Sequence, residues 1–256
     1  MRFSEGQPQQ GAQYAEALLQ LLEIHDPATV AAVIVEPVTG SGGVYAPPVG
    51  YLQRLREICD LHGVLLIFDE VITGFGRLGH SFAAQAFGVT PDLMTLAKGL
   101  TNGAVPMGAV MVSGAVYDAF MEGPEQAIEL MHGYTYSAHP LACAAGLATL
   151  AVHEELGINA HVQQVAPLWQ RAALALREQQ WVQDVRAIGL LCAVELKSRD
   201  RAPGARAGEV AQRCFEAGLL VRASGENIVL SPPLIISEAQ ITLIFDTLQR
   251  VLDQVA

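Results

Sequence analysis

Three short runs of apolar residues, each of strand length and each delivering a polar side chain at its end, constrain this chain most. They are "VAAVIVE" (30–36), "VLLIFDE" (64–70) and "LMTLAK" (93–98). A strand with no polar alternation has no face to give to water, so such runs predict interior strands covered on both sides. Between the first two, "YLQRLREICDLHG" (51–63) sets Leu52, Leu55, Ile58 and Cys59 on one helical stripe and stops at Gly63. Strand, helix, strand in this order predicts a parallel sheet, with "GAVMVS" (108–113) as a fourth strand. Ligands of such sheets bind beyond the carboxyl ends of the strands. Glu36, Asp69 and Lys98 each sit at an end of that kind.

The remaining segments complete an α/β chain. Residues 12–25 read as a helix with Leu18, Leu21, Leu22 and Ile24 as its apolar stripe, and "PLACAAGLATLAVHEEL" starts a long helix at residue 140. A further helix near 161–179 is followed by strands at 189–197, 219–222 and 227–231. Ser237 and Gln240 form a capping box for a last helix that carries Ile241, Ile244, Phe245, Leu248 and Leu252. The expected organisation is a mostly parallel sheet domain over 1–153 and a smaller α+β domain over 154–256.

With 51% hydrophobic residues in 256, the chain is able to bury a substantial core, and its formal net charge of −11 argues against a nucleic-acid surface. Cys59, Cys143, Cys192 and Cys214 form no CxxC pair and read as buried reduced thiols, with no metal site. The longest apolar stretch, Leu141 to Val152, is too short and too rich in Ala and Gly to span a bilayer. No basic segment followed by an apolar one opens the chain, so a cytoplasmic protein without membrane partners is expected.

Lys98 and Asp69 carry the chemistry. A lysine leaving a buried strand and followed by Gly99 and Gly103 has its amine held in a cleft. Desolvation and nearby positive charge make such an amine nucleophilic toward aldehydes; the plain alternative is a surface lysine. A carboxylate at the neighbouring strand end suits a pyridinium nitrogen, as a Schiff-base lysine suits pyridoxal phosphate (PLP). The plain alternative for Asp69 is a helix N-cap.

The segments "VAAVIVEPVTGSGGVYAPPVGYLQRLREICDLHGVLLIFDEVITGFGR", "PDLMTLAKGLTNGAVPMGAV" and "HGYTYSAHPLACAAG" resemble class III (fold type I) PLP-dependent aminotransferases, of the ω-amino acid–pyruvate (β-alanine–pyruvate) kind. The resemblance implies a fold type I transferase in which Lys98 binds the cofactor and shuttles a proton. Asp69 then faces the ring nitrogen, Val71 packs on the ring and Glu36 lies near it. Thr135, with Tyr134 beside it, reaches a neighbouring subunit's cofactor phosphate, so a homodimer or homotetramer with a shared site is implied. Arg222 matches the arginine that takes the substrate carboxylate. Ser41 stands where glutamate-using members often carry an acid, which fits a pyruvate enzyme better.

The implied reaction is transamination between an ω-amino acid such as β-alanine and pyruvate, giving the semialdehyde and alanine. A diamine or 4-aminobutyrate aminotransferase or an aminomutase would use the same Lys98 and Asp69, and a catalytically silent fragment would retain only assembly. The resemblance further implies that a family portion precedes the point matching Met1, with a phosphate loop and a ring-stacking aromatic. Without it, the sheet is expected to show unpaired edges and exposed apolar surface.

Overall fold

The computed structural model describes residues 6–126 and 130–255. Its first sheet has strands β1 (Ala32–Val35), β2 (Leu65–Asp69), β3 (Leu93–Leu96) and β4 (Ala109–Val112) in that spatial order. β1, β2 and β3 run parallel and β4 closes antiparallel on β3, so the sheet is mostly parallel, as the apolar runs predict. One face is well covered. Leu66 and Phe68 of β2 are fully buried against Leu52, Leu55, Ile58 and Cys59 of helix α2 (Tyr51–His62) and against helix α1 (Ala17–His25). Gly63 ends α2 in the left-handed conformation, at φ 66°.

The opposite face is open. Ile34 is 61% exposed, and Val110, Met111 and Val112 of the edge strand are exposed as well, so the expectation of open edges and bare apolar surface describes this sheet. The stripe of α1 needs correction: Leu18 and Leu22 are buried with Ala15, but Leu21 and Ile24 are exposed. A 3-10 turn over Ala12–Glu16 precedes α1 and shifts which residues face α2.

Short helices α3 (Ala83–Phe87) and α4 (Gly114–Phe120) flank β3 and β4, and α5 (Pro140–Glu155) and α6 (Ile158–Ala175) lead to the second sheet. That sheet is antiparallel, in the order β5 (Val182–Ile188), β6 (Leu191–Leu196), β8 (Asn227–Leu230), β7 (Arg222–Ser224). α6, α7 (Ala205–Glu216) and α8 (Glu238–Leu252) cover one face, with Trp169 fully buried against Phe245 at 4.9 Å between ring centres. The Ser237–Gln240 box forms as expected: the Ser237 amide donates to Gln240 Oε1 at 2.9 Å and the Gln240 amide to Ser237 Oγ. No single helix among the described residues is long and apolar enough to cross a membrane.

Besides the short helices α3 and α4, two further elements lie outside the sequence expectations. β5, "VQDVRAI", carries Asp184 and Arg186 where an apolar strand would be sought, and both are buried. α7 has Gly208 and four charged residues in "ARAGEVAQRCFE", yet it lays Ala207, Val210 and Cys214 on the core. The strand expected at 219–222 instead begins at Arg222.

The sheets are joined by the loop after β2. Arg77 Nη1 donates to the carbonyls of Pro232 (2.6 Å) and Leu190 (3.4 Å), and burial lowers its pKa to about 10.

All four cysteines are free; Cys59, Cys192 and Cys214 are buried, whereas Cys143 is only half-buried. Burial pushes the Cys192 thiol up to about 12, that of Cys214 to about 11, and that of Cys59 upward. In the folded chain at pH 8, Ellman's reagent should therefore modify Cys143 well before the other three. Rapid reaction of all four before unfolding would contradict this packing.

Candidate active site

The acidic pair at the end of β2 splits. Strand alternation turns Phe68 and Glu70 inward and Asp69 to the open face. The fully buried Glu70 carboxylate accepts from Thr73 Oγ1 (2.6 Å) and from the amides of Ala83 and Ala84 (both 2.8 Å). It thereby caps α3 and fixes the loop that follows Asp69. Nothing in the sequence reading assigned Glu70 this task; the helix it caps lies thirteen residues on. Glu70→Ala should cost about 3 kcal/mol in urea unfolding, because three donors lose their acceptor. A loss under about 1 kcal/mol would show that water replaces the carboxylate.

Asp69 is half-buried, and its Oδ1 accepts from the Val71 amide at 3.1 Å, an Asx turn rather than a helix cap. Among the described residues no cation pairs with it. Its register partner on β3 is Thr95, whose Oγ1 is buried and has no hydrogen-bond partner. Val71 is half-buried immediately after it.

Lys98 follows β3 by two residues and is exposed. It holds the left-handed conformation, φ 44°, which a residue with a Cβ adopts at a cost. The turn is pressed onto the loop from Asp69: a Cβ on Gly99 would stand 2.8 Å from Phe75 Cβ. On the other side, a Cβ on Gly40 would stand 2.6 Å from Ile72 Cδ1, so the turn after β1 also meets this loop. Glu36, half-buried one residue beyond β1, braces that turn by accepting from the Gly40 amide at 3.1 Å. Glu36, Asp69, Val71 and Lys98 are thus gathered at one end of the sheet.

Arg222 opens β7 and is exposed, with no ion pair among the described residues. Two residues on, Ser224 Oγ donates to the Ser41 carbonyl at 3.2 Å, which brings β7 against the loop after β1. Tyr134 and Thr135 lie apart from these groups, in an exposed segment that forms one wall of a cleft facing Val105–Gly108. Tyr134 has φ 47°, and its ring lies tilted by 50° against that of His132, 4.3 Å between ring centres.

The parallel sheet, the lysine turn and the antiparallel second sheet define a fold type I enzyme, and the chain belongs to the class III aminotransferase family, whose model ("Aminotransferase class-III") matches residues 2–252. The omega-aminotransferase of Caulobacter vibrioides is 56% identical over 98% of this chain and 57% of its own length. The beta-alanine–pyruvate aminotransferase of Pseudomonas aeruginosa is 47% identical over 100% of this chain and 58% of its own. Among solved structures, an amine transaminase from an uncultivated Pseudomonas species in PLP-bound form superposes with a TM-score of 0.88 at 38% identity, covering 96% of this chain and 57% of that one. An (S)-enantioselective omega-transaminase from Thermomicrobium roseum gives 0.89 at 34% identity, covering 95% and 55%. The chain thus spans little more than half the length of the relatives it matches.

Proposed function

We propose that this chain carries the chemical half of a PLP-dependent transaminase that moves an amino group from an ω-amino acid or amine such as β-alanine to pyruvate, leaving the semialdehyde and alanine. One observation carries the reading: a lysine and an acid without ion-pair partners among the described residues stand at adjacent strand ends, beside the buried, unpartnered Thr95 hydroxyl. This donor set fits PLP: an amine for its aldehyde and a carboxylate for its ring nitrogen.

When bound, PLP supplies an electron sink for the charge left on the substrate's amino-bearing carbon. Asp69 would hold positive charge on the ring nitrogen and Val71 would pack on the ring, with Glu36 nearby. Lys98 Nζ would hold the cofactor's aldehyde carbon; as a free amine it would carry the proton from the donor's amino-bearing carbon to the cofactor and, in the pyruvate half-reaction, a proton from the cofactor to the carbon that becomes alanine's. Arg222 binds the pyruvate carboxylate with its guanidinium fork, and Ser41 leaves that fork unpaired by an acid.

The exposure of Tyr134 and Thr135 supports their reaching a second subunit's cofactor phosphate, in a homodimer or homotetramer. Separate cores on either side of α5 support the division into domains 1–153 and 154–256. The four free thiols suit a reducing, cytoplasmic compartment.

Steady-state assays with β-alanine and several amines, each against pyruvate and 2-oxoglutarate, test the acceptor. Pyruvate should be preferred, and Arg222→Ala should raise its KM roughly thirtyfold, the worth of a charge-assisted pair. A variant with the same KM for pyruvate as the parent would remove Arg222 from the site.

A further inference from the structure

Arg186, in the middle of β5, is 2% exposed and holds groups from the second sheet and from the loop after β1. Its Nε donates to the Gly43 carbonyl at 2.6 Å. Nη1 donates to Glu195 Oε2 (2.5 Å) and Asp184 Oδ2 (3.2 Å), and Nη2 to Asn227 Oδ1 (2.5 Å). Its guanidinium also lies over the Tyr45 ring, 4.5 Å from the centre. A buried ionic cluster of this kind is seldom more stable than an apolar one of equal volume, so stability alone explains it poorly. What it touches is more informative.

On one side are Gly43 and Tyr45, in the loop after β1. Thr39 and Tyr45 close that loop with reciprocal backbone hydrogen bonds (3.0 and 2.9 Å). Gly43 has φ 130°, and a Cβ there would stand 2.9 Å from Arg186 Nη2, so the loop is fitted around the guanidinium. On the other side is Asn227 of β8, the register partner of Ser224, whose carbonyl accepts from Asn227 Nδ2 at 3.4 Å. Ser224 in turn donates to the Ser41 carbonyl. Arg186 therefore fixes both partners of the contact between the Ser41 loop and the strand that begins with Arg222.

We propose that Arg186 is a positioning residue that sets the spacing between Ser41 and Arg222, and thereby how firmly the carboxylate of the keto acid is held. The inference rests on the reading of Arg222 as the carboxylate-binding group. It assigns specificity to a buried group remote from the reacting atoms, acting through a loop that carries no charge of its own.

The test uses the full chain with PLP present and two variants that approach the same contact from opposite sides. Arg186→Lys keeps a cation among Asp184 and Glu195 but cannot reach Gly43 and Asn227 together; Gly43→Ala keeps every charge and displaces the loop. Hydrogen exchange of peptides covering 39–46 and 222–229 reports the contact, and protection by added pyruvate gives its dissociation constant. Both variants should exchange faster in these peptides and bind pyruvate about tenfold more weakly, as for residues coupling two elements. Adding Arg186→Lys to Arg222→Ala should weaken binding no further than Arg222→Ala alone.

Unchanged pyruvate affinity in Arg186→Lys and Gly43→Ala, while Arg222→Ala weakens it, would overturn the positioning role and leave Arg222 in place. If Arg222→Ala itself matches the parent, the carboxylate reading fails, and this inference fails with it. A role in stability alone would lower the melting temperature of the Arg186 variant without selective loss of pyruvate protection.

Discussion

Replacing Lys98 with alanine is expected to lower transamination by at least about ten-thousandfold, because under the proposed function one substitution removes both the anchor of the cofactor and the base that moves the proton. The fold should be indifferent to the change. The Lys98 side chain is exposed, and alanine keeps the same left-handed backbone, so unfolding stability should shift by no more than about 0.5 kcal/mol. A small primary amine added to the assay should return part of the lost rate, since it replaces the missing base but not the covalent anchor. Steady-state rates with β-alanine and pyruvate, alongside a urea melt, check both halves. Activity within about tenfold of the parent would show that another group carries the proton.

The second large effect falls on Asp69. Asparagine has the same shape and retains an oxygen for the Val71 amide, now 3.1 Å from Oδ1, so the Asx turn should persist. What disappears is the negative charge proposed to stabilise a protonated ring. A loss of about a thousandfold in kcat is expected, the upper range for removing one preorganised electrostatic group, with KM for the amino donor little changed. The neighbouring acid gives the contrast. Glu70→Ala should damage folding through the α3 cap, whereas Asp69→Asn should damage turnover and leave the melting curve in place. If the two variants exchanged phenotypes, the assignment of inward and outward carboxylates would be wrong.

Much of this was legible in the chain because local rules and the global fold agree there. Gly63 and the Ser237–Gln240 box mark helix ends by their own chemistry, and both appear where those rules place them. The apolar runs locate β1 to β4 within a residue or two, and with them the strand-end cluster of Glu36, Asp69 and Lys98. β5 was hidden for a physical reason. Its Asp184 and Arg186 are buried as partners of one another, of Glu195 on β6 and of Asn227 on β8, and single-strand periodicity carries no trace of such partners. Glu70 is the same case: its neighbours are amides thirteen and fourteen residues away. Leu21 and Ile24 err in the other direction, since a 3-10 entry turn rotates the helix and leaves them exposed. Tertiary contacts, not propensity, decide each of these positions.

The measurement that bears most directly on the account is made on the 256-residue chain incubated with PLP, reduced with borohydride and digested for mass spectrometry. The sequence contains two lysines, Lys98 and Lys197, which makes the outcome sharp. Lys197 sits beyond β6 with its Nζ donating to the Gln180 carbonyl at 2.6 Å, away from the strand-end cluster. A phosphopyridoxyl group is expected on Lys98 and should be absent from the Lys98→Ala chain. A folded chain that carries the group on Lys197, or takes up none, would contradict this expectation.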